Sequence, residues 1–324
     1  MRPSSVVLFG GTGFIGGHLA ARLAEHDLTI VVPTRHEGHA TRLLPLPGVD
    51  VVAARVGEGA EGDAALRRLV AGRDAVINLV GILHSRRGDP YGPDFRRVHV
   101  DLPRRIVDAC AREGVPRYLH MSALGADPRG PSMYQRSKAD GEAAAHGRPE
   151  VAATVFRPSV VFGPDDQFLN MFARLQRHLP VVPLACAGAR FQPVYVGDVA
   201  EAFVRALLDP HAAGKTYELG GPQAYTLAEL VRLAGRWSGH ERRVVALPDA
   251  LARLQARLFE LLPGTPLITR DNLDSMRVDN IVRPDTQALT AAALGIKVTA
   301  LEAVAPQMLA PRDRLDVLGA RAGR

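Results

Sequence analysis

The opening stretch "SSVVLFGGTGFIGGHLAARL" constrains this chain more than any other feature. A short apolar run ends at Gly10, and glycines recur at Gly13 and Gly16 before a segment with helical spacing. A buried strand that feeds a glycine turn and then a helix begins a β-α-β unit. Gly10 permits a tight turn, Gly13 carries no Cβ to obstruct a pyrophosphate, and Gly16 lets the helix pack closely. The turn around Thr12, Phe14 and Ile15 offers backbone N–H groups and a partial positive charge to phosphates. A turn that merely needs glycine does not account for three glycines at this spacing. The loop is therefore read as a dinucleotide-binding loop.

The rhythm that follows supports this. "LTIVVP", residues 49–54 and residues 74–80 read as further buried strands, and residues 117–122 and 151–159 as a fifth and sixth strand, with helical segments between them. "DFRRVHVDLPRRIVDACAREG" reads as one long helix bent near Pro103. Strands alternating with helices imply an α/β fold, a doubly wound parallel Rossmann sheet with right-handed crossovers. That domain is expected over 1–164. Beyond Gly163–Pro164 the strands shorten and helices dominate. Residues 165–310 are read as a smaller C-terminal α/β cap region for the substrate, some of whose segments return to the sheet edge. Residues 311–324 are expected to form a flexible tail.

One cap segment, 248–264, is amphipathic. Leu251, Leu254, Leu258, Phe259, Leu261 and Leu262 give it an apolar face, with Arg253 and Arg257 flanking. The leading reading is that this face is cap core. The other is a docking surface for a membrane or a membrane-bound partner.

Charge and composition narrow the function classes. The formal net charge is +6, but the arginines are scattered among acids, no basic run reaches five, and only 5% of residues are aromatic. That pattern argues against nucleic acid and leaves a mild attraction to an anionic membrane surface. Cys110 and Cys186 make neither a disulfide framework nor a zinc spacing and read as small buried hydrophobes. His36 and His39 lack a third ligand nearby, so no metal is expected. The apolar start is too short for a signal peptide, and no apolar run approaches ~18 residues. The expected location is cytoplasmic, extending to the inner face of the membrane.

Arg35 stands at the end of the second strand, where an NAD site usually carries an acid for the ribose 2′-hydroxyl. A guanidinium suits a 2′-phosphate, so NADP(H) is favoured over NAD(H). Glu37, two residues on, keeps the ribose alternative open. A second constellation lies in "MYQRSKADGE", residues 133–142. Tyr134 and Lys138 are four apart and share a helical face. The chain has only three lysines, Lys138, Lys215 and Lys297. A cation ~4 Å from a phenol in a medium of dielectric ~20 contributes at most ~4 kcal/mol, enough to pull a tyrosine toward neutrality. Ser122 closes the fifth strand, where its hydroxyl is placed to hold a substrate oxygen while Tyr134 moves a proton. Ser122, Tyr134 and Lys138 are thus the candidate catalytic residues.

"GGTGFIG", Ser122, Tyr134–Lys138, "FRPSVVFGP" (156–164) and "PVYVGDVA" (193–200) stand in the order found in the extended, atypical short-chain dehydrogenase/reductases, which the chain resembles. "ALGA", "YQRSKADGE", "VFGPDDQFLNMFARL" and "LITRDNLDSM" further resemble bacterial relatives of the NADPH-binding Rossmann-type accessory subunit of respiratory complex I. This likeness covers nearly the whole chain. It implies that Gly10, Gly13 and Gly16 bind pyrophosphate, that Arg35 binds the 2′-phosphate, and that Tyr134, Lys138 and Pro158 lie by the nicotinamide end. Two departures stand out. Arg55 occupies the region after strand three where an Asp often contacts adenine. "NLVGILH" replaces a small-residue run after strand four, where Asn78 and Gly81 line the cofactor or merely finish the strand.

The resemblance implies an NADPH-dependent oxidoreductase acting on a small or quinone-related molecule, or a complex I or quinone-synthesis accessory protein. The alternatives are an assembly factor that holds NADPH without turnover and a nucleotide-sugar type epimerase or dehydratase.

Overall fold

The computed structural model describes residues 3–264, 266–283, 285 and 287–311, the side chains of Glu37 and His39 excepted. The expected tail falls almost wholly outside the described residues. The first half runs β1 (Ser5–Phe9), α1 (Phe14–Ala24), β2 (Thr29–Thr34), β3 (Val49–Ala53), α2 (Ala60–Val70) and β4 (Ala75–Asn78). A one-turn helix α3 (Pro93–Phe95), a π-helical stretch over Arg96–Asp101 and α4 (Leu102–Glu113) lead to β5 (Arg117–Met121), α5 (Met133–Ala145) and β6 (Ala152–Pro158). The remainder is β7 (Val161–Phe162), α6 (Leu169–His178), β8 (Val181–Leu184), β9 (Arg190–Phe191), β10 (Val194–Tyr195), α7 (Val196–Leu208) and β11 (Thr216–Leu219). It closes with β12 (Tyr225–Thr226), α8 (Leu227–Trp237), β13 (Arg243–Ala246), α9 (Asp249–Leu261), α10 (Arg270–Ser275), β14 (Leu289–Thr290) and α11 (Leu301–Leu309).

Eight strands form one sheet in the order β14-β11-β6-β5-β4-β1-β2-β3. Every neighbouring pair in it is parallel. This is the doubly wound sheet that the strand–helix rhythm predicts. Parallel strands need helices on both faces, so the central strands read as continuous apolar runs. On one face α1 and α7 pack together through Leu19, Leu23, Val199 and Phe203. On the other, α2 and α4 cover the sheet through Leu66, Val70, Ile106 and Val107. Strands β11 and β14 and helix α7 come from beyond residue 165 and belong to these layers. A separate core of α6, α8 and α11, built on Phe162, Phe172, Leu230 and Leu301, makes up the rest of the C-terminal part.

Two local expectations change. Strand β3 is not buried: Val52 is 39% exposed, because β3 closes the sheet at its edge. The long helix is continuous over 93–113, with a π-helical stretch directly before Pro103, whose missing N–H leaves an upstream carbonyl without its α-helical donor. Cys110 is buried as expected, whereas Cys186 is half-exposed.

The chain order places the site. From β1 it winds outward to β3, then crosses back to β4 on the other side of β1. The strand order reverses at β1, between β2 and β4, and at such a switch point ligands bind in the crevice outside the carboxyl ends of the strands.

Candidate functional site

Gly10 leaves β1 with φ +80, the left-handed region. A Cβ there would press on the Leu79 and Val80 backbone at 3.2 Å. The Gly10 carbonyl accepts from Gly13 N at 3.0 Å and closes the turn. Gly13 is the N-cap of α1 in extended conformation, with no side-chain cap and no acid in the first turn. By contrast α5, α8 and α10 all start with capping boxes. The first N–H groups of α1 therefore face the crevice without an internal acceptor from a side chain, as a phosphate cradle requires. Gly16 has a different duty from that of Gly13: a Cβ there would run into the Gly10 carbonyl and lie 2.6 Å from Gly11 Cα. Gly11, absent from the sequence reading, is needed too, because a Cβ would sit 2.7 Å from Val32 Cγ1. Around the loop, Thr12 and Phe14 are half-exposed, Phe14 stacks edge-on with His18, and Ile15 packs on the core.

Arg35 follows β2 directly and is exposed. A Thr34 turn fixes the backbone there: Thr34 Oγ1 donates to the His36 carbonyl at 3.1 Å and accepts from His36 N at 3.3 Å. Thr34 pairs with Ala53 of β3, so Arg55 also emerges at this edge. Two guanidinium groups thus stand on adjacent strand ends.

Asn78, Gly81, Ser122, Tyr134, Lys138 and Pro158 cluster around the ends of β4, β5 and β6. Two of them are already occupied. Asn78 is fully buried; its Oδ1 accepts from Val80 N at 3.1 Å and its Nδ2 donates to Tyr118 Oη at 3.0 Å. Tyr118 Oη in turn lies 3.1 Å from His120 Nδ1. Ser122 is 3% exposed and its Oγ donates to Glu142 Oε1 at 2.5 Å. Glu142 is clamped by Arg157 through two bonds, of 2.8 and 2.6 Å, and Arg157 reaches Glu218 at 3.5 Å. Pro158, at the end of β6, accepts from Leu124 N at 3.0 Å.

Tyr134 and Lys138 do share a face, and both border His99. Tyr134 meets the imidazole edge-on at 5.6 Å and Phe95 at 6.0 Å. His99 comes from the π-helical stretch and is 2% exposed. Its Nε2 accepts from Ile82 N at 3.1 Å, which puts the proton on Nδ1, 2.9 Å from Ser137 Oγ. Ser137 Oγ then donates to the Tyr134 carbonyl at 2.8 Å. Burial, then the nearby Lys138 charge, holds His99 down at about 2, so the ring is neutral. The Lys138 ammonium donates to the Met121 carbonyl at 2.8 Å.

The electrostatics differ from the sequence expectation. Burial pushes the Tyr134 phenol up to about 12 rather than letting Lys138 pull it down. Burial also lowers Lys138 from 10.5 to about 8, with Glu142 opposing. This sets a sign for pH. Between about pH 8 and 10.5 the unfolded chain holds a proton that the folded one has shed, so stability rises with pH across that window. Below it both states are protonated and the penalty is complete. Lys138→Met is expected to remove the slope and to stabilise the ligand-free protein by about 2 kcal/mol, after the unpaired Met121 carbonyl is counted. Thermal unfolding at several pH values checks this; an unchanged slope in the variant would assign it to another group.

The cap contributes Asp271, which the sequence reading passed over. Its carboxylate accepts from Met133 N at 2.6 Å and Tyr134 N at 3.1 Å. Ser132 and Gln135 form a capping box at the same helix end. The first turn of α5 is therefore fully satisfied, and Tyr134 is positioned from the C-terminal part of the chain. "LITRDNLDSM" held the signal, but nothing in the sequence shows which helix it caps. Asn280 plays a similar part, accepting from Ser159 Oγ at 2.7 Å and Val160 N at 3.1 Å. Among the described residues no group of three or more His, Cys, Asp or Glu could hold a metal ion.

Comparison with known proteins bears on the family and the fold. The pattern of the NAD dependent epimerase/dehydratase family matches residues 6–220. The mouse protein NADH dehydrogenase (ubiquinone) 1 alpha subcomplex subunit 9, mitochondrial, is 33% identical over 298 residues, 91% of this chain and 77% of its own length. Among solved structures, MoeE5 in complex with UDP-glucose and NAD superposes with a TM-score of 0.71 at 19% identity, covering 94% of this chain and 97% of its own. The NADPH-dependent quinone oxidoreductase QOR2 of Escherichia coli, complexed with NADPH, gives 0.69 at 19% identity, covering 94% and 98%. Both structures share the fold.

Proposed function

This chain belongs to the NAD dependent epimerase/dehydratase family, and from that premise we propose that it holds NADPH in the β1–β4 crevice as an accessory subunit rather than turning it over. The Gly10–Gly16 loop takes the pyrophosphate, Arg35 with Arg55 takes the 2′-phosphate, and Tyr134 and Lys138 border the nicotinamide ribose. Bound NADPH supplies a hydride. Its use on a carbonyl or quinone needs donors aimed at the oxygen where charge develops. The observation that carries the proposal is that Ser122, the hydroxyl at the strand end, is spent on Glu142, which Arg157 clamps in place. The mouse relative bears the name of a complex I subunit, which supports a seat in an assembly of that kind.

A second reading rests on Tyr134. Burial keeps the phenol protonated, so it could donate to a quinone-related or carbonyl oxygen. Nucleotide release and turnover separate the two. Under the first reading, mass spectrometry finds NADPH copurified, and its exchange takes far longer than an enzymatic cycle. No NADPH oxidation occurs with a panel of quinones, aldehydes and ketones. Arg35→Ala weakens NADPH tenfold to about a hundredfold and leaves NADH unchanged. Oxidation that falls by ~10²–10⁴ in Tyr134→Phe would establish the second reading instead. Equal affinity for NADH and NADPH in the unmutated protein would remove the 2′-phosphate assignment.

A further inference from the structure

The sequence favours burial of the apolar face of residues 248–264 in the cap, and the structure reverses it. Leu251, Leu254, Leu258, Leu261 and Leu262 recur at three- and four-residue intervals along α9 and its end, and so share one face. They are 53% to 75% exposed. The helix is held instead by its opposite face, where Ala252 and Ala256 pack with Ala185 and Leu273.

The charges around the stripe are one-sided. The acids of the segment are taken: Asp249 by Arg253 at 2.9 Å and Glu260 by Arg270 at 2.6 Å. Arg257 is exposed and makes no ion pair among the described residues. Strand β13, which leads into α9, presents exposed Arg243 and Val245 opposite exposed Val181 and Pro183 of β8. Among the described residues no acid pairs with Arg257 or Arg243, so the unneutralised charge on α9, β13 and β8 is positive. No described helix is long and apolar enough to cross a bilayer.

We propose that the leucine face of α9 docks this protein on an anionic lipid surface, lying flat at the headgroup boundary with Arg257 and Arg243 toward the lipid phosphates. A leucine stripe beside unpaired arginines on a short surface helix has the make-up of an interfacial helix. The face is also linked to the nucleotide crevice. Arg253 binds Asp274 at 2.8 Å on α10, and the adjacent Asp271 caps the helix that carries Tyr134. The proposal stands whether or not the nucleotide turns over.

The test is flotation of the full chain with vesicles of phosphatidylcholine alone or mixed with phosphatidylglycerol, at low and high salt. The protein should float with the anionic vesicles at low salt, and binding should weaken by about tenfold or more on neutral vesicles and in high salt. Leu254→Gln combined with Leu258→Gln should lose at least about tenfold in vesicle affinity. Both positions are already in water, so thermal stability and nucleotide content, measured on the same samples, should not move. Failure of the unmutated protein to float would overturn the proposal, as would a double variant that floats equally well. So would a dimer in light scattering that the double variant splits without affecting vesicle binding. An unmutated protein that floats but carries no nucleotide would count against the nucleotide assignment and not against this surface.

Discussion

Gly13→Val is expected to abolish NADPH binding in a protein that still folds. Gly13 has φ −80, which any residue adopts, and it lies exposed at the mouth of the crevice. An added Cβ meets only the Gly10 carbonyl, at 3.2 Å, and a small shift relieves it. The valine methyls would occupy the space through which a pyrophosphate reaches the α1 N–H groups. Affinity should fall on the order of a hundredfold or more, while the melting temperature of the ligand-free protein changes little. Gly16→Val is the counterpart and should fail at an earlier step. Its Cβ collides with the backbone of Gly10 and Gly11, so the loop and helix cannot both form. Nucleotide titration and thermal unfolding of the two variants separate these roles. Normal NADPH binding by Gly13→Val would show that phosphate does not approach this backbone.

Glu142→Ala should be clearly destabilising. Glu142 joins Ser122 just past β5, Arg157 on β6 and its own helix α5. The clamp raises the Arg157 pKa, its bonds to Glu142 being the largest cause. Removing the carboxylate leaves a half-buried guanidinium with Glu218, at 3.5 Å, as its remaining acid, so the cost should fall below the ~3–5 kcal/mol of a fully buried pair. Ser122→Ala should cost only about 1–2 kcal/mol and leave nucleotide affinity unchanged, because the hydroxyl serves Glu142. The same measurements decide whether Ser122 belongs to the site. Strong loss of nucleotide binding in Ser122→Ala, with Glu142→Ala unaffected in stability, would return the hydroxyl to the crevice.

Much of this architecture is legible in the chain itself, because it depends on local patterns. An apolar run before Gly10 and helical spacing after Gly16 specify a strand, a turn and a helix wherever they occur. The repeated strand–helix alternation then leaves few topologies besides a parallel doubly wound sheet. Position follows from that topology: Gly10, Arg35, Asn78, Ser122 and Pro158 all fall at or just past the ends of strands that run the same way, so they arrive at one edge.

What the sequence leaves open is which groups meet across distance. Tyr134 and Lys138 are four apart, and their shared face is a property of the helix. Their protonation is not, because it depends on burial by Phe95 and His99 and on the Met121 carbonyl, which three other segments supply. Ser122 looks free for chemistry until Glu142, 20 positions on and held by Arg157, is brought against it. Asp271 caps a helix more than 130 residues earlier in the chain, and no spacing announces that. The leucines of α9 have the same periodicity whether they face a core or a solvent. Only packing decides, and here two alanines on the opposite face make the tighter fit, leaving the larger side chains outside.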